Sequence, residues 1–237
     1  MFNNELLISS LKKINIELSD KQVDQLKDYC SLLIEKNKVM NLTAITDVDE
    51  IISKHFVDSA LINSVVPMTN GKIIDVGTGE GFPGLVLKIV FPELEVVLLD
   101  SLDKRIKFLD EVIEKLGLEN VYTIHGRAED FGRDESYREQ FDYCVSRAVA
   151  NLSVLAEYCI PFVKEGGKFV SYKSANSEEE INQSSNAIKV LGGELEKVET
   201  VSIPETDIDR TFAIINKVNC TDNKYPRRAG KPTKKPL

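Results

Sequence analysis

Apolar positions change their period partway along the chain. Up to residue 63 they recur at helical intervals: Leu6, Leu7, Leu11 and Ile14 share one face, and Val23, Leu26, Cys30 and Leu33 form a second stripe among lysines and acids. Ser19 and Gln22 have the spacing of a capping box and set the start of that second helix. A polar loop is expected at 37–46. A third helical stretch is expected over 49–63, carried by Ile52, Phe56 and Ala60, with Pro67, Thr69, Asn70 and Gly71 marking its exit.

From Lys72 onward the pattern alternates. Short β-rich runs at 72–76, 95–100, 121–126, 141–146 and 168–173 are separated by helical stretches, the clearest being Ile106, Leu109, Val112, Ile113 and Leu116, which stops at Gly117. Such alternation predicts a parallel sheet with helices on both faces and ligands at the carboxyl ends of its strands. Runs at 195–203 and 210–218 are joined too tightly for a crossover helix, so the last strand is expected to enter antiparallel. The predicted fold is therefore α/β, a doubly wound, mostly parallel seven-stranded sheet with an antiparallel last strand and an N-terminal helical cap. The expected divisions are a cap at 1–66, a cofactor-binding domain at 67–220, and a basic C-terminal tail at 221–237 that forms no separate domain.

The 237 residues, 42% of them hydrophobic, suit one sizeable core plus an appendage. No apolar run reaches membrane-spanning length and the first residues lack a signal-peptide pattern, so a cytoplasmic protein without membrane attachment is expected. Cys30, Cys144, Cys159 and Cys220 show no metal-ligand spacing, and no metal is expected. The net charge of −8 hides an asymmetry: Lys224, Arg227, Arg228, Lys231, Lys234 and Lys235 crowd the last 14 residues without an acid. A basic arm for a polyanion and a solvated tail that aids solubility fit that charge equally. In either case the tail is expected to be separable from cofactor binding.

Candidate chemistry centres on the turn after the first strand. In Asp75-Val76-Gly77-Thr78-Gly79-Glu80-Gly81-Phe82-Pro83-Gly84, alternating glycines permit close backbone approach, and amides at the following helix start are expected to receive a cofactor. Asp100, ending the second strand 23 positions after Gly77, suits the hydroxyls of a ribose. A nicotinamide fingerprint requires glycine where Phe82 stands, which leaves an NAD(P)-dependent oxidoreductase as the alternative. His55 and Asp58, three apart on a helix, read as a satisfied structural pair, since no nucleophile or further ligand accompanies them.

The Asp75-x-Gly77-x-Gly79-x-Gly81 turn resembles the first motif of class I methyltransferases that use S-adenosylmethionine. With Asn41-Leu42-Thr43, Lys54-His55-Phe56-Val57-Asp58-Ser59, Phe82-Pro83-Gly84, Leu99-Asp100-Ser101 and Ser146-Arg147-Ala148 in order, the chain is similar to the GidB/RsmG family. These are bacterial methyltransferases of a guanine N7 in small-subunit (16S) ribosomal RNA. The resemblance covers most of 41–173 and implies S-adenosylmethionine as cofactor. It further implies 16S rRNA, the small subunit or an assembly intermediate as partner, with a non-catalytic ribosome-binding protein of the same fold as the second alternative. By the same resemblance Gly77 and Phe82 line the cofactor, Ala128 and Glu129 meet its adenosine, and Arg147 completes the pocket or approaches RNA. Asp75, Gly79, Gly81 and Asp100 complete the expected cofactor set, and no catalytic acid or base is assigned.

The chemistry is consistent with that reading. After the fourth strand there is no Asn/Asp-Pro-Pro-aromatic run for an exocyclic amine, and no Pro-Cys pair for carbon methylation. Guanine N7 has a free lone pair and loses no proton on attack, so orientation and electrostatics suffice. Looped or single-stranded RNA is the expected substrate form, because N7 lies deep in the A-form groove. Lys104, Arg105, Lys107, Arg127, Arg147 and Lys173 are candidate phosphate contacts.

Overall fold

The computed structural model describes residues 1–147 and 150–237; Ala148 of the Ser-Arg-Ala run lies outside the described residues. Two helices open the chain, α1 (Asn4–Lys13) and α2 (Asp20–Met40). The Ser19/Gln22 capping box forms as expected, and Nε2 of Gln22 reaches on to the carbonyls of Ile89 and Val90 at 2.9 Å each. α2 continues four residues into the expected loop and stops where Asn41 turns left-handed.

The third helical stretch is broken in kind. α3 (Val48–Ile51), capped by Asp47, passes into a π-helical turn at Ile52–Val57, then α4 (Asp58–Ala60) and a 3₁₀ turn at Leu61–Ser64. A π turn widens the helix by one residue, and such turns concentrate at functional sites. His55 sits within it and Asp58 directly after it.

β1 (Gly71–Val76), α5 (Gly84–Val90), β2 (Leu94–Asp100), α6 (Asp103–Leu116), β3 (Val121–His125), α7 (Ala128–Phe131) and β4 (Phe141–Arg147) follow in alternation. Next come α8 (Leu152–Cys159), β5 (Val163–Ser174), α9 (Glu178–Gln183), α10 (Ser185–Val190), β6 (Gly193–Ser202), β7 (Asp209–Lys217) and the short α11 (Lys231–Lys234). The seven strands form one sheet in the order β3-β2-β1-β4-β5-β7-β6. β1 to β5 pair in parallel, and β7 inserts antiparallel between β5 and β6, which is the expected sheet. Its strand order reverses beside β1, between β1 and β4, so the carboxyl ends there open a crevice.

Alternation along each strand sends successive residues to opposite faces. Ile73, Val96, Leu98, Val145 and Val170 pack toward α2, α5 and α6, whereas Ile74, Val97, Leu99, Cys144 and Phe169 pack toward α8, α9 and α10. The first cluster runs without interruption from Leu7 and Leu26 to Phe212 and Ile214, so apolar packing is continuous across the expected boundary at 66 and 67. Tyr29, on α2, stacks on Phe56 and Phe82, and its hydroxyl donates to the carbonyl of Glu80. The helical cap thus holds the glycine turn in place.

Candidate active site

β1 delivers Asp75 to the carboxyl edge of the sheet with no solvent exposure. Its Oδ2 accepts Oγ1 of Thr78 and N of Gly84, both at 2.7 Å, tying the two ends of the turn together. Burial pushes the carboxyl up to about 6, against the pull of those two hydrogen bonds. A Cβ on Gly84 would stand 2.6 Å from Leu98 Cδ2 and 2.7 Å from Asp75 Cβ, so this brace requires glycine there.

The expectation of free amides at the helix start is corrected. N of Gly77 and Thr78 donate to the carbonyl of Leu99, N of Gly81 and Phe82 to that of Thr78, and N of Gly79 to Asp100 Oδ2 at 2.9 Å. Close packing of the turn against β2 and α5 uses these donors internally. What the turn offers a ligand is its surface and the groups it orients.

Beside the turn lies a cavity of about 680 Å³, of a size that holds a small-molecule cofactor. Gly77, Gly79, Phe82 and Asp100 line it from β1 and β2, and Ala128, Glu129 and Arg147 from the ends of β3 and β4. Asp75 and Gly81, placed with them by sequence, are not among its lining residues: Asp75 lies beneath the turn, and Gly81 faces Tyr29, Leu85 and Leu109. Asp100 Oδ1 accepts N of Leu102 at 2.9 Å, and Arg105 stands 3.4 Å from Oδ2. Its hydrogen bonds to the loop before α6 and to the glycine turn coexist with a position on the cavity wall.

Sequence reasoning missed Glu80, Tyr158, Gly230 and Thr233 on this wall. Glu80 Oε1 is buried without a hydrogen-bond partner among the described residues, and burial raises its pKa above the ordinary value. Its place inside the glycine motif was the available signal. Gly230 and Thr233 come from the far end of the chain, with no local signal to find them.

Arg147 ends β4 and meets three groups of the cap and turn. Nη1 donates to Asp58 Oδ2 at 2.7 Å, Nη2 faces His55 Nδ1 at 3.3 Å, and the guanidinium carbon lies 5.2 Å from the centre of the Phe82 ring. Asp58, fully buried, also accepts Nε and Nη2 of Arg210 from β7 at 2.7 and 2.9 Å. The His55 ring stacks on Phe82 at 4.4 Å and 9°. His55 and Asp58, read from sequence as a self-contained pair, are instead the seat of Arg147. Of the expected phosphate contacts, Lys173 is buried against Glu180 and the Ala150 carbonyl, which takes it off the surface.

Comparison with known proteins fits this arrangement. The family model described as GidB, rRNA small subunit methyltransferase G, matches residues 22–209. The chain belongs to this family. It is 48% identical over 238 aligned positions, spanning the whole of both chains, to the ribosomal RNA small subunit methyltransferase G of Alkaliphilus metalliredigens. It is 51% identical to that of Acetivibrio thermocellus, covering 98% of this chain and 96% of the relative. The fold is shared with a crystal structure of M. jannaschii TYW2 in complex with AdoMet, at a TM-score of 0.51 and 17% identity, over 63% of this chain and 70% of the other.

For this member of the rRNA small subunit methyltransferase G family, the cavity's charge is the informative test. Three carboxylates, Glu80, Asp100 and Glu129, line it together with three guanidinium groups, Arg105, Arg127 and Arg147; Glu80 Oε1 makes no hydrogen bond among the described residues and lies 3.5 Å from Arg105. S-adenosylmethionine carries both an ammonium and a sulfonium, beside a ribose that needs acceptors. The carboxylates suit its cations and hydroxyls, and the guanidinium groups suit its own carboxylate.

Proposed function

We propose that the protein transfers a methyl group from S-adenosylmethionine to N7 of a guanine in small-subunit ribosomal RNA. The observation that carries the reading is the cavity at the reversal of strand order, where Asp100, the glycine turn and Glu129 converge beside Arg147. Family membership supplies the reaction class. When bound, the cofactor supplies an electrophilic methyl on a sulfonium.

This chain's residues then have separable tasks. Asp100 accepts hydroxyl donors, and Glu80 offsets positive charge. Ala128 and Glu129 bound the adenosine side, and Gly77 and Gly79 permit close approach. Phe82 and Arg147, locked by His55 and Asp58, form the wall nearest the cap. No group is required to take a proton from N7, and His55, stacked on the lining residue Phe82, has both ring nitrogens engaged. The exposed cation on the cavity wall, Arg127, suits a phosphate backbone.

The test incubates purified protein with labelled S-adenosylmethionine and small-subunit rRNA, then cleaves the product by borohydride and aniline, which break the strand at 7-methylguanine. Label incorporation with a single new cleavage is expected. Incorporation without cleavage places the methyl on another atom and refutes the N7 assignment.

A further inference from the structure

The chain beyond β7 does not leave the body of the protein. Thr221 Oγ1 donates to the Leu191 carbonyl at 2.6 Å, and Arg133 Nε donates to that of Pro226 at 2.7 Å. Arg227 forms a two-pronged pair with Glu157, a carboxylate with no solvent exposure, while Leu237 rests on the second apolar cluster. The expectation of a free basic arm is therefore corrected at Arg227, whose charge is spent inside the protein. Truncating a buried pair of this kind leaves an uncompensated charge, so the segment's course is well determined at this point.

From Arg227 the chain proceeds to the cofactor cavity. N of Gly230 donates to Glu129 Oε1 at 3.1 Å, the Thr233 hydroxyl meets that of Tyr158 at 3.0 Å, and Pro232 between them is buried. Gly230, Thr233 and Tyr158 line the same cavity as Gly77 and Asp100. Gly230 has φ +78°, the left-handed turn that points α11 back along the cavity, and a Cβ there would meet open space.

We propose that Gly230–Thr233 is a built part of the cofactor site, a strap that closes its adenosine side by fixing Glu129 and Tyr158. The inference rests on the reading that this cavity holds S-adenosylmethionine. Anchoring at Glu157 upstream and Leu237 downstream leaves the strap little freedom except at the cavity. Its outward cations, Arg228, Lys231, Lys234 and Lys235, are exposed, so one short segment presents a wall to the cofactor and positive charge to solvent.

The experiment is calorimetric titration of the full-length protein with S-adenosylhomocysteine, the demethylated product, which has no net charge. Gly230→Val strains the left-handed turn, where a Cβ itself meets nothing within 4 Å, whereas asparagine tolerates that conformation. Gly230→Val should weaken binding on the order of tenfold, the scale of a lost set of hydrogen-bonded contacts, with Gly230→Asn close to wild type. The joint change Lys234→Ala and Lys235→Ala should leave binding unchanged. Wild-type affinity in Gly230→Val overturns the proposal, as does equal loss in the double-alanine variant. Should Gly230→Val not fold, Thr233→Val carries the same test through loss of the Tyr158 hydrogen bond, and an unchanged affinity there overturns it. Failure of the wild type itself to bind the probe refutes the cofactor reading instead.

Discussion

Arg147 donates to Nδ1 of His55 at 3.3 Å, and this contact fixes the state of the imidazole. A guanidinium only donates, so Nδ1 must present its lone pair and the ring is neutral, with its proton on Nε2 facing Thr43 Oγ1 at 3.1 Å. Burial and the Arg147 charge together lower the His55 pKa to about 3.

Stability should therefore depend on pH through His55. Between about 3 and the unfolded value of 6.5 the unfolded chain binds a proton that the native protein refuses, so stability is full above 6.5 and falls as pH drops. Asp75 opposes this: its raised pKa makes the native state bind a proton first, so its contribution is present at low pH and lost as pH rises from 3.8 through about 6. His55→Asn keeps an acceptor near Nδ1 and does not titrate. Urea denaturation at pH 7.5 and 4.5 should show wild type losing about 2–3 kcal/mol more than the variant on acidification. Equal losses would remove His55 from the effect.

Asp58 carries the charge balance of two arginines. Asp58→Asn leaves the half-buried Arg147 and Arg210 without their shared buried carboxylate, and a cost of about 3–5 kcal/mol is expected. Denaturant midpoints measure it. Asp58→Asn combined with Arg210→Gln should recover part of that loss, because one of the two stranded cations is gone. A double variant no more stable than Asp58→Asn would show that Arg210 pairs elsewhere.

How far these relationships were legible depends on their range along the chain. The capping box, the Gly117 stop and the seven strands follow from residues a few positions apart, and all three formed. The Asp100 position beside the glycine turn was likewise readable, since strand register in a βαβ unit sets it. Asp58 and Arg147 are 89 positions apart and Gly230 and Glu129 are 101 apart, so nothing local connects them. The π turn that places His55 beside Arg147 was equally hidden, because its apolar spacing still matches an ordinary helix. Tail charge misled for a related reason: composition registers Arg227 as basic surface, but the buried Glu157 that absorbs it lies on α8, 70 positions away.

Two glycines of the turn should fail in different ways. Gly79 has φ +62° with open space at its Cβ, so Gly79→Ala should cost only about 1–2 kcal/mol of stability. Its new methyl sits on a residue that lines the cavity, and cofactor affinity should fall further than stability. Gly84→Ala instead meets Leu98 and Asp75 under 3 Å and should lose about 1–3 kcal/mol by overpacking. Thermal melts beside S-adenosylhomocysteine titrations of both variants give the comparison. Equal loss of affinity per unit of stability in the two would contradict a cavity placed at Gly79.

The pH profile of methyl transfer bears on the chemistry itself. N7 attack releases no proton from the base, so single-turnover transfer should be flat between about pH 6.5 and 8.5, where His55 is neutral and Asp75 ionised. A mechanism requiring a general base would add a limb in which the rate changes tenfold per pH unit. Below about 6, protonation of Asp75 weakens the charge-assisted hydrogen bonds from Thr78 and Gly84 that hold the turn. Cofactor affinity should then decline with a midpoint near 6, and saturating cofactor should restore the rate. A rate that stays low at saturation would place the titrating group in the chemical step and contradict the base-free reaction.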